Sequence, residues 1–271
     1  MPHRDCRLEL NTFKLTYAWG RDPVSRPAIA SLIERRLLVN FRLDPEAAAR
    51  ILPAGTRPLL RSGHAVGGLW LIRLSAVRRS AGPALPGLAD LAGRLGLRSE
   101  IAVHRIATVH EGPDGPEPGV YIPRRDTDSR ITTLTSGLLL PGEHHLARFE
   151  VQETPERVRV GFRAADGAAQ AEIEAVVADR LPGSVLFADL GEAARFAREA
   201  PEGYAEVPES LAVRPAALVR ASSSYFEDPE RFPPGTAEPD SALLLRDLEA
   251  LRGTRPARRA HRPARPAVHP I

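Results

Sequence analysis

Apolar and polar positions alternate with a period of two along much of this chain, the pattern of strands with one buried face. It is clearest in Val158, Val160 and Phe162, set against Arg157, Arg159 and Arg163. Asp166-Gly167 then makes a turn and Ala171–Val177 returns as the second arm of a hairpin. Leu8–Tyr17, Arg36–Leu43, Leu146–Val151 and Leu211–Tyr225 have similar extended character. His64–Val77 reads as a long strand with Gly67-Gly68 as a bulge or a point of close backbone approach. Arg98–His110 is the longest clear strand, and the breaker-rich Glu111–Gly119 turns it back into Val120–Ile122. Helices are few and short. Asp44-Pro45-Glu46 supplies an N-cap and a first-turn proline for a helix through Leu52. Asp126–Ser129 offers caps for another through Leu134, and Asp189–Ala200 forms a third. Asp240 or Ser241 starts a fourth through Leu251, with Leu243, Leu244, Leu248 and Leu251 on one stripe. Asp22–Ala30 and Gly82–Gly96 read as loops. Strict β-α-β alternation is missing, so a single antiparallel, barrel-like sheet with peripheral helices fits better than a parallel doubly wound one.

Composition supports this picture. The 271 residues are 43% hydrophobic, enough for a sizeable core, and Pro 26 with Gly 21 disfavours bundles, coiled coils and solenoids. The longest apolar stretch, Ala65–Ile72, is far short of the ~20 residues that cross a bilayer. The first thirty residues carry no secretory pattern, so a cytoplasmic location is expected. One domain is expected over residues 1–252. The remainder, 253–271, is a Pro/Arg-rich tail with no acid and no means of forming a core. Much of the net charge of +3 comes from that tail, so a folded nucleic-acid-binding face is not expected. Cys6 is the single cysteine and excludes an internal disulfide or a thiolate zinc site. Lys14 is the only lysine, and arginine cannot form a Schiff base.

Dinucleotide-binding, P-loop, nucleophile-elbow and common zinc signatures are absent, and no cofactor or metal is expected. The remaining chemistry sits in three places. Alternation along Arg98–His110 puts Glu100, His104, Thr108 and His110 on one face, which periodicity alone assigns to solvent. Arg124–Arg130 packs five charges into seven positions. That density suits a solvated loop or helix cap, or else Arg125 aimed at a ligand carboxylate. Glu143-His144-His145 follows Pro141-Gly142, and His145 shares parity with Ala147, Phe149 and Val151, the inward side. A neutral imidazole near a carboxylate would suit general base work.

Several segments together resemble a known architecture. Arg35–Glu46 followed by Ile51-Leu52-Pro53, Gly119–Pro123, Leu140–His145, Tyr225–Pro229 and Phe232–Gly235 resemble the acetoacetate decarboxylase-like superfamily, and within it a bacterial family of unassigned function. The resemblance runs over about Arg35–Leu251 and implies a cone-shaped antiparallel β-barrel around a small-molecule cavity. It implies Arg35 or Arg36 as the substrate-carboxylate grip and moves Glu100 from solvent towards the cavity. It also exposes a departure: the family's Schiff-base lysine would fall within Pro141-Gly142-Glu143, where no lysine stands. Imine-forming decarboxylation is therefore not expected. The leading expectation is a protein that binds a small carboxylate or carbonyl compound through Arg35, Arg36 and Arg125. Glu100, His144 and His145 would supply acid–base function, and members of the superfamily often form homo-oligomers. The alternatives are a hydrolase, lyase or isomerase built on Glu100 with His144 or His145, and a non-enzymatic module whose basic tail contacts acidic partners.

Overall fold

The computed structural model describes residues 28–80, 98–112, 115–134, 143–199 and 211–252. The expected strand at Leu8–Tyr17, the loop at Gly82–Gly96, Cys6, Lys14 and the 253–271 tail lie outside them. Among the described residues eleven strands make one sheet: β1 (Ala28–Leu43), β2 (Thr56–Pro58), β3 (Leu60–Arg61), β4 (His64–Ser80), β5 (Arg98–Gly112), β6 (Gly115–Thr127), β7 (His145–Glu153), β8 (Arg157–Ala164), β9 (Gln170–Val177), β10 (Arg214–Ser223) and β11 (Ala237–Arg252). The order runs β2-β5-β6-β7-β8-β9-β10-β11-β1-β4-β3, and β4 also pairs with β5. That extra pairing closes the sheet on itself, so the strands other than β2 and β3 form a ring and leave few free edges. Pairing is antiparallel except between β6 and β7, whose short parallel seam joins Asp126 to His145 and Thr127 to Leu146.

Among the described residues three helices decorate the ring: α1 (Pro45–Ile51), α2 (Arg130–Leu134) and α3 (Leu190–Glu199). Asp44 caps α1 by accepting a hydrogen bond from the Ala47 amide at 2.8 Å, as the Asp-Pro-Glu signature predicts. Among the described residues no helix is long and apolar enough to cross a membrane.

Each side of the sheet has its own apolar cluster. The inner one is built from Leu37, Val39, Phe41, Leu69, Leu71, Val160, Phe162, Ile173 and Leu244. The outer one includes Leu38, Trp70, Ile72, Val103, Leu243 and Leu245, packed under Phe187 and Phe196. A strand buried on both faces loses its alternation and becomes a continuous apolar run. This corrects the expected Leu-rich helix through Leu251, which is strand β11. Leu243 and Leu245 face outward to α3's cluster and Leu244 faces the interior. Residues 28–30, expected in a loop, likewise open β1. The helix expected from Asp126 is shorter. β6 continues to Thr127, and Ser129 caps α2 through the Thr132 amide at 3.1 Å.

The outer layer also contains a cation–π stack. Arg36 and Arg105 both lie over the Trp70 ring, at 4.9 and 4.6 Å, while Arg105 and Arg61 lie over Phe196 at 5.5 and 5.7 Å. Gly68 makes room for it. A Cβ there would stand 2.8 Å from the Val39 carbonyl oxygen and 3.1 Å from Arg105 Nε. Arg105 donates to Asn40 Oδ1 at 2.6 Å, and Asn40 Nδ2 donates to Ser241 Oγ at 3.2 Å. Burial, with the charge of Arg36 beside it, pulls the Arg105 pKa down to about 9.

Candidate functional site

Register, more than any sequence motif, assembles the charged site. Arg35 on β1 pairs with Arg246 on β11 and Arg73 on β4, and Arg73 pairs with Glu100 on β5. Four neighbouring strands thus present three guanidiniums and a carboxylate in one lateral row. Glu153, the last residue of β7, joins the row from another part of the ring.

The contacts are dense. Arg35, only 1% exposed, donates to Glu100 Oε2 at 2.5 Å and to Glu153 Oε2 at 3.1 Å. Arg73 donates through Nε to Glu100 Oε1 at 2.6 Å and through Nη1 to Glu153 Oε2 at 3.0 Å. Arg246 Nη1 donates to Glu153 Oε1, and its Nη2 donates to the Thr154 carbonyl at 3.0 Å. The Glu100 amide donates to Asp128 Oδ1 at 2.9 Å, which ties the carboxylate's own strand to the next turn. Burial works to raise the Glu153 pKa, but Arg35, Arg246 and Arg73 outweigh it and hold the carboxyl below its ordinary value. At Arg73, burial works downward, and the hydrogen bond and charge of Glu100 more than offset it, so its pKa is raised. Exposure is graded: the Arg246 and Arg73 side chains are 30% and 21% exposed, with Arg35 behind them. The site therefore opens at one end of the inner face. One layer further in, Leu37, Leu71 and Leu244 fill the interior.

Periodicity alone assigned Glu100, His104 and Thr108 to solvent, and the structure corrects that. His104 is fully buried, and Glu100 and Thr108 are buried as well. The error arises because β5 is covered on both sides, so its polar residues occupy one face of a strand that has no wet face. His104 sits 5.0 Å from the Tyr225 ring, with Phe162 and Phe226 at 6.1 and 6.3 Å. Its Nε2 lies 3.4 Å from Ser223 Oγ.

The structure separates the other expected site residues. Arg36 is on the opposite face from Arg35, over Trp70, as consecutive strand residues must be. Arg125 pairs with Val103, which pairs with Trp70, so it too belongs to the outer face and does not join Arg35. Instead Arg124, half-buried beside the seam, forks onto Asp126 and reaches Asp166 Oδ2 at 2.9 Å. Burial drives the Asp126 pKa up in spite of that arginine. His145 pairs with Asp126, and its Nδ1 stands 3.5 Å from Asp166 Oδ2. His144, His145, Glu143, Thr133 and Asp166 line a recess of about 340 Å³. His145 is two strands away from β5, roughly 10 Å at ~4.8 Å per strand. Glu100 and His145 therefore stand in separate clusters. Among the described residues, no group of three or more His, Cys, Asp or Glu is arranged to hold a metal ion.

Sequence reasoning missed Arg73, Arg246 and Glu153. Arg73 interrupts the apolar run of β4, which was a usable signal. Glu153 continues the inward parity of Phe149 and Val151, another usable signal. Arg246 was hidden by the mistaken helix.

No protein-family profile matches the chain, and no curated protein matches it in sequence. Solved structures do. An acetoacetate decarboxylase-like enzyme from Sphingomonas wittichii RW1 aligns with a TM-score of 0.54 at 15% identity, over 85% of this chain and 92% of that one. The enduracididine biosynthesis enzyme MppR complexed with pyruvate aligns at 0.51 and 13% identity, over 84% and 88%. MppR complexed with the condensation product of pyruvate and imidazole 4-carboxaldehyde aligns at 0.50 and 13% identity, over 84% and 87%. At such identities the likeness is one of architecture, and it settles the fold: this chain has the acetoacetate decarboxylase-like fold.

Proposed function

We propose that this protein binds a small carboxylate or carbonyl compound at the Arg35 end of the closed sheet, and does not decarboxylate it through an imine. The observation that carries the reading is the charge balance of the row. Three guanidiniums, from Arg35, Arg73 and Arg246, meet two carboxylates, from Glu100 and Glu153. Glu34, whose charge also reaches Arg73, is paired with Arg98, so among the described residues one positive charge is left over in a sheltered site, where an anion gains more than it would in open water. Guanidinium is also the side chain best shaped for a carboxylate. The pyruvate in the MppR structure makes 2-oxo acids the first compounds to try. Lys14, the chain's one lysine, precedes all the matched segments, and among the described residues the site offers no amine for imine chemistry.

Two measurements test this. Pyruvate and related short acids are expected to raise the thermal midpoint of the full chain, and Arg35→Ala is expected to abolish that rise. No shift with any short acid, or an undiminished shift in Arg35→Ala, overturns the binding reading. Borohydride added with pyruvate is expected to leave the chain's mass unchanged. A trapped adduct overturns the exclusion of imine chemistry.

A further inference from the structure

The position a ligand carboxylate would take is already filled. Glu153 accepts from Arg35 and Arg73 through Oε2 and from Arg246 through Oε1, so one carboxylate lies among all three guanidiniums. Glu100 differs. It belongs to the register row, sits in the body of β5, and has its backbone amide tied to Asp128. Glu153 stands at the very end of β7, and residues 154–157 after it are exposed. Its backbone is held by pairing with Val158 and by the Thr154 carbonyl that accepts from Arg246, so only its side chain has to move, and it borders the end at which Arg73 and Arg246 are partly exposed. A carboxylate arriving from outside meets Arg246 and Arg73 first and has to share or replace the contacts Glu153 makes.

We propose that Glu153 is a displaceable internal occupant: its carboxylate fills the notch between Arg35, Arg73 and Arg246 until a ligand carboxylate takes its place. This rests on the binding reading above and adds two things to it. The ligand class narrows to compounds ending in an unbranched –CH2–COO⁻ or –CO–COO⁻ group, because the notch is shaped around the end of a glutamate side chain. Apparent affinity is also set partly by internal competition, since a site already occupied by its own anion binds an outside one more weakly by the fraction of time it is open.

The chemistry of one substitution suits the test. Glu153→Ala removes a methylene and a carboxylate, which together correspond to acetate. Acetate is titrated into the full-length wild type, Glu153→Ala and Glu153→Gln, and binding is read by calorimetry and by the thermal midpoint. Chloride at the same ionic strength is the control. The expected result is an acetate dissociation constant at least tenfold lower in Glu153→Ala than in the wild type, with chloride producing no comparable shift. Equal or weaker acetate binding in Glu153→Ala overturns the proposal, because it makes Glu153 a support for the arginines instead of their occupant. An equal response to chloride overturns it too. Should Glu153→Ala fail to fold, Glu153→Gln keeps the test: it retains the shape without the charge and is expected to bind acetate at least threefold more tightly than the wild type. Wild-type binding of pyruvate that depends on Arg35, with no gain in either Glu153 variant, removes this inference and leaves the binding reading standing. Absence of binding by any acid to any of the three proteins removes both.

Discussion

His104 is kept neutral by where it sits. Burial among Tyr225, Phe162 and Phe226, helped by the charges of Arg124 and Arg231, lowers its pKa from 6.5 to about 3. An unfolded chain would take up this proton near pH 6.5, while the folded one resists it until about pH 3. Between those values the unfolded state binds more protons, so stability falls as pH falls. A shift of this size amounts to on the order of 4 kcal/mol lost across that window. His104→Gln is therefore expected to show a smaller difference in urea-unfolding free energy between pH 7 and pH 4 than the wild type. An unchanged difference would mean that the buried imidazole is not the source. Residue identity made some of this legible in advance. The resemblance named Arg35 or Arg36 and moved Glu100 towards the interior against a periodicity that assigned it to solvent, and the structure pairs Arg35 with Glu100. Arg36 and Arg125 were grouped with them because adjacent arginines look alike in a sequence, whereas a strand sends neighbours to opposite faces. Glu153 carries no motif at all, and its role arises from where β7 ends.

At the scale of elements, local chemistry fixed the short helices well. Asp44 and Ser129 cap α1 and α2 through their own side-chain oxygens. Asp44→Ala is expected to cost about 1 kcal/mol in thermal or urea unfolding, the usual loss for an N-cap. Gly68→Ala is expected to cost more, about 1–3 kcal/mol, since its methyl must displace backbone on one side and Arg105 on the other. A Gly68→Ala variant as stable as the wild type would show that the sheet can shift there without strain. The strand β11 was illegible for a physical reason. Leu243, Leu244 and Leu245 are all buried, so the run offers no polar positions to set a period, and length with a good cap pointed towards helix. The hairpin β8–β9 was read correctly because its outer face is wet, and Arg157, Arg159 and Arg163 mark that face, with only Gly161 between them.

At the scale of the molecule, the ring has unequal joints. β1 runs against β4 and β11 along nearly its whole length, whereas β6 meets β7 over two residue pairs. Side chains reinforce that joint: Arg124 reaches from Asp126 on β6 to Asp166, beside His145 at the start of β7. Amide hydrogen exchange is expected to be faster at Thr127 and Leu146 than at Leu38 and Leu71, with protection at the joint falling further in Arg124→Ala. Uniform protection around the ring would contradict this. Closure of the sheet was the part of the architecture least available to sequence reasoning, because it depends on pairing between β1 and β11 across about two hundred residues.

That pairing also sets a timetable. A ribosome that has finished everything up to residue 236 still holds a sheet with β1 missing one of its two neighbours, and Arg35 still lacking the opposing Arg246. The circle can shut only when β11 emerges, so folding should wait for that strand and run at the slow pace of distant β pairings. Until then Leu37 and Leu38 lack the cover that Leu243, Leu244 and Leu245 supply, and the nascent chain has reason to depend on chaperones until β11 is made.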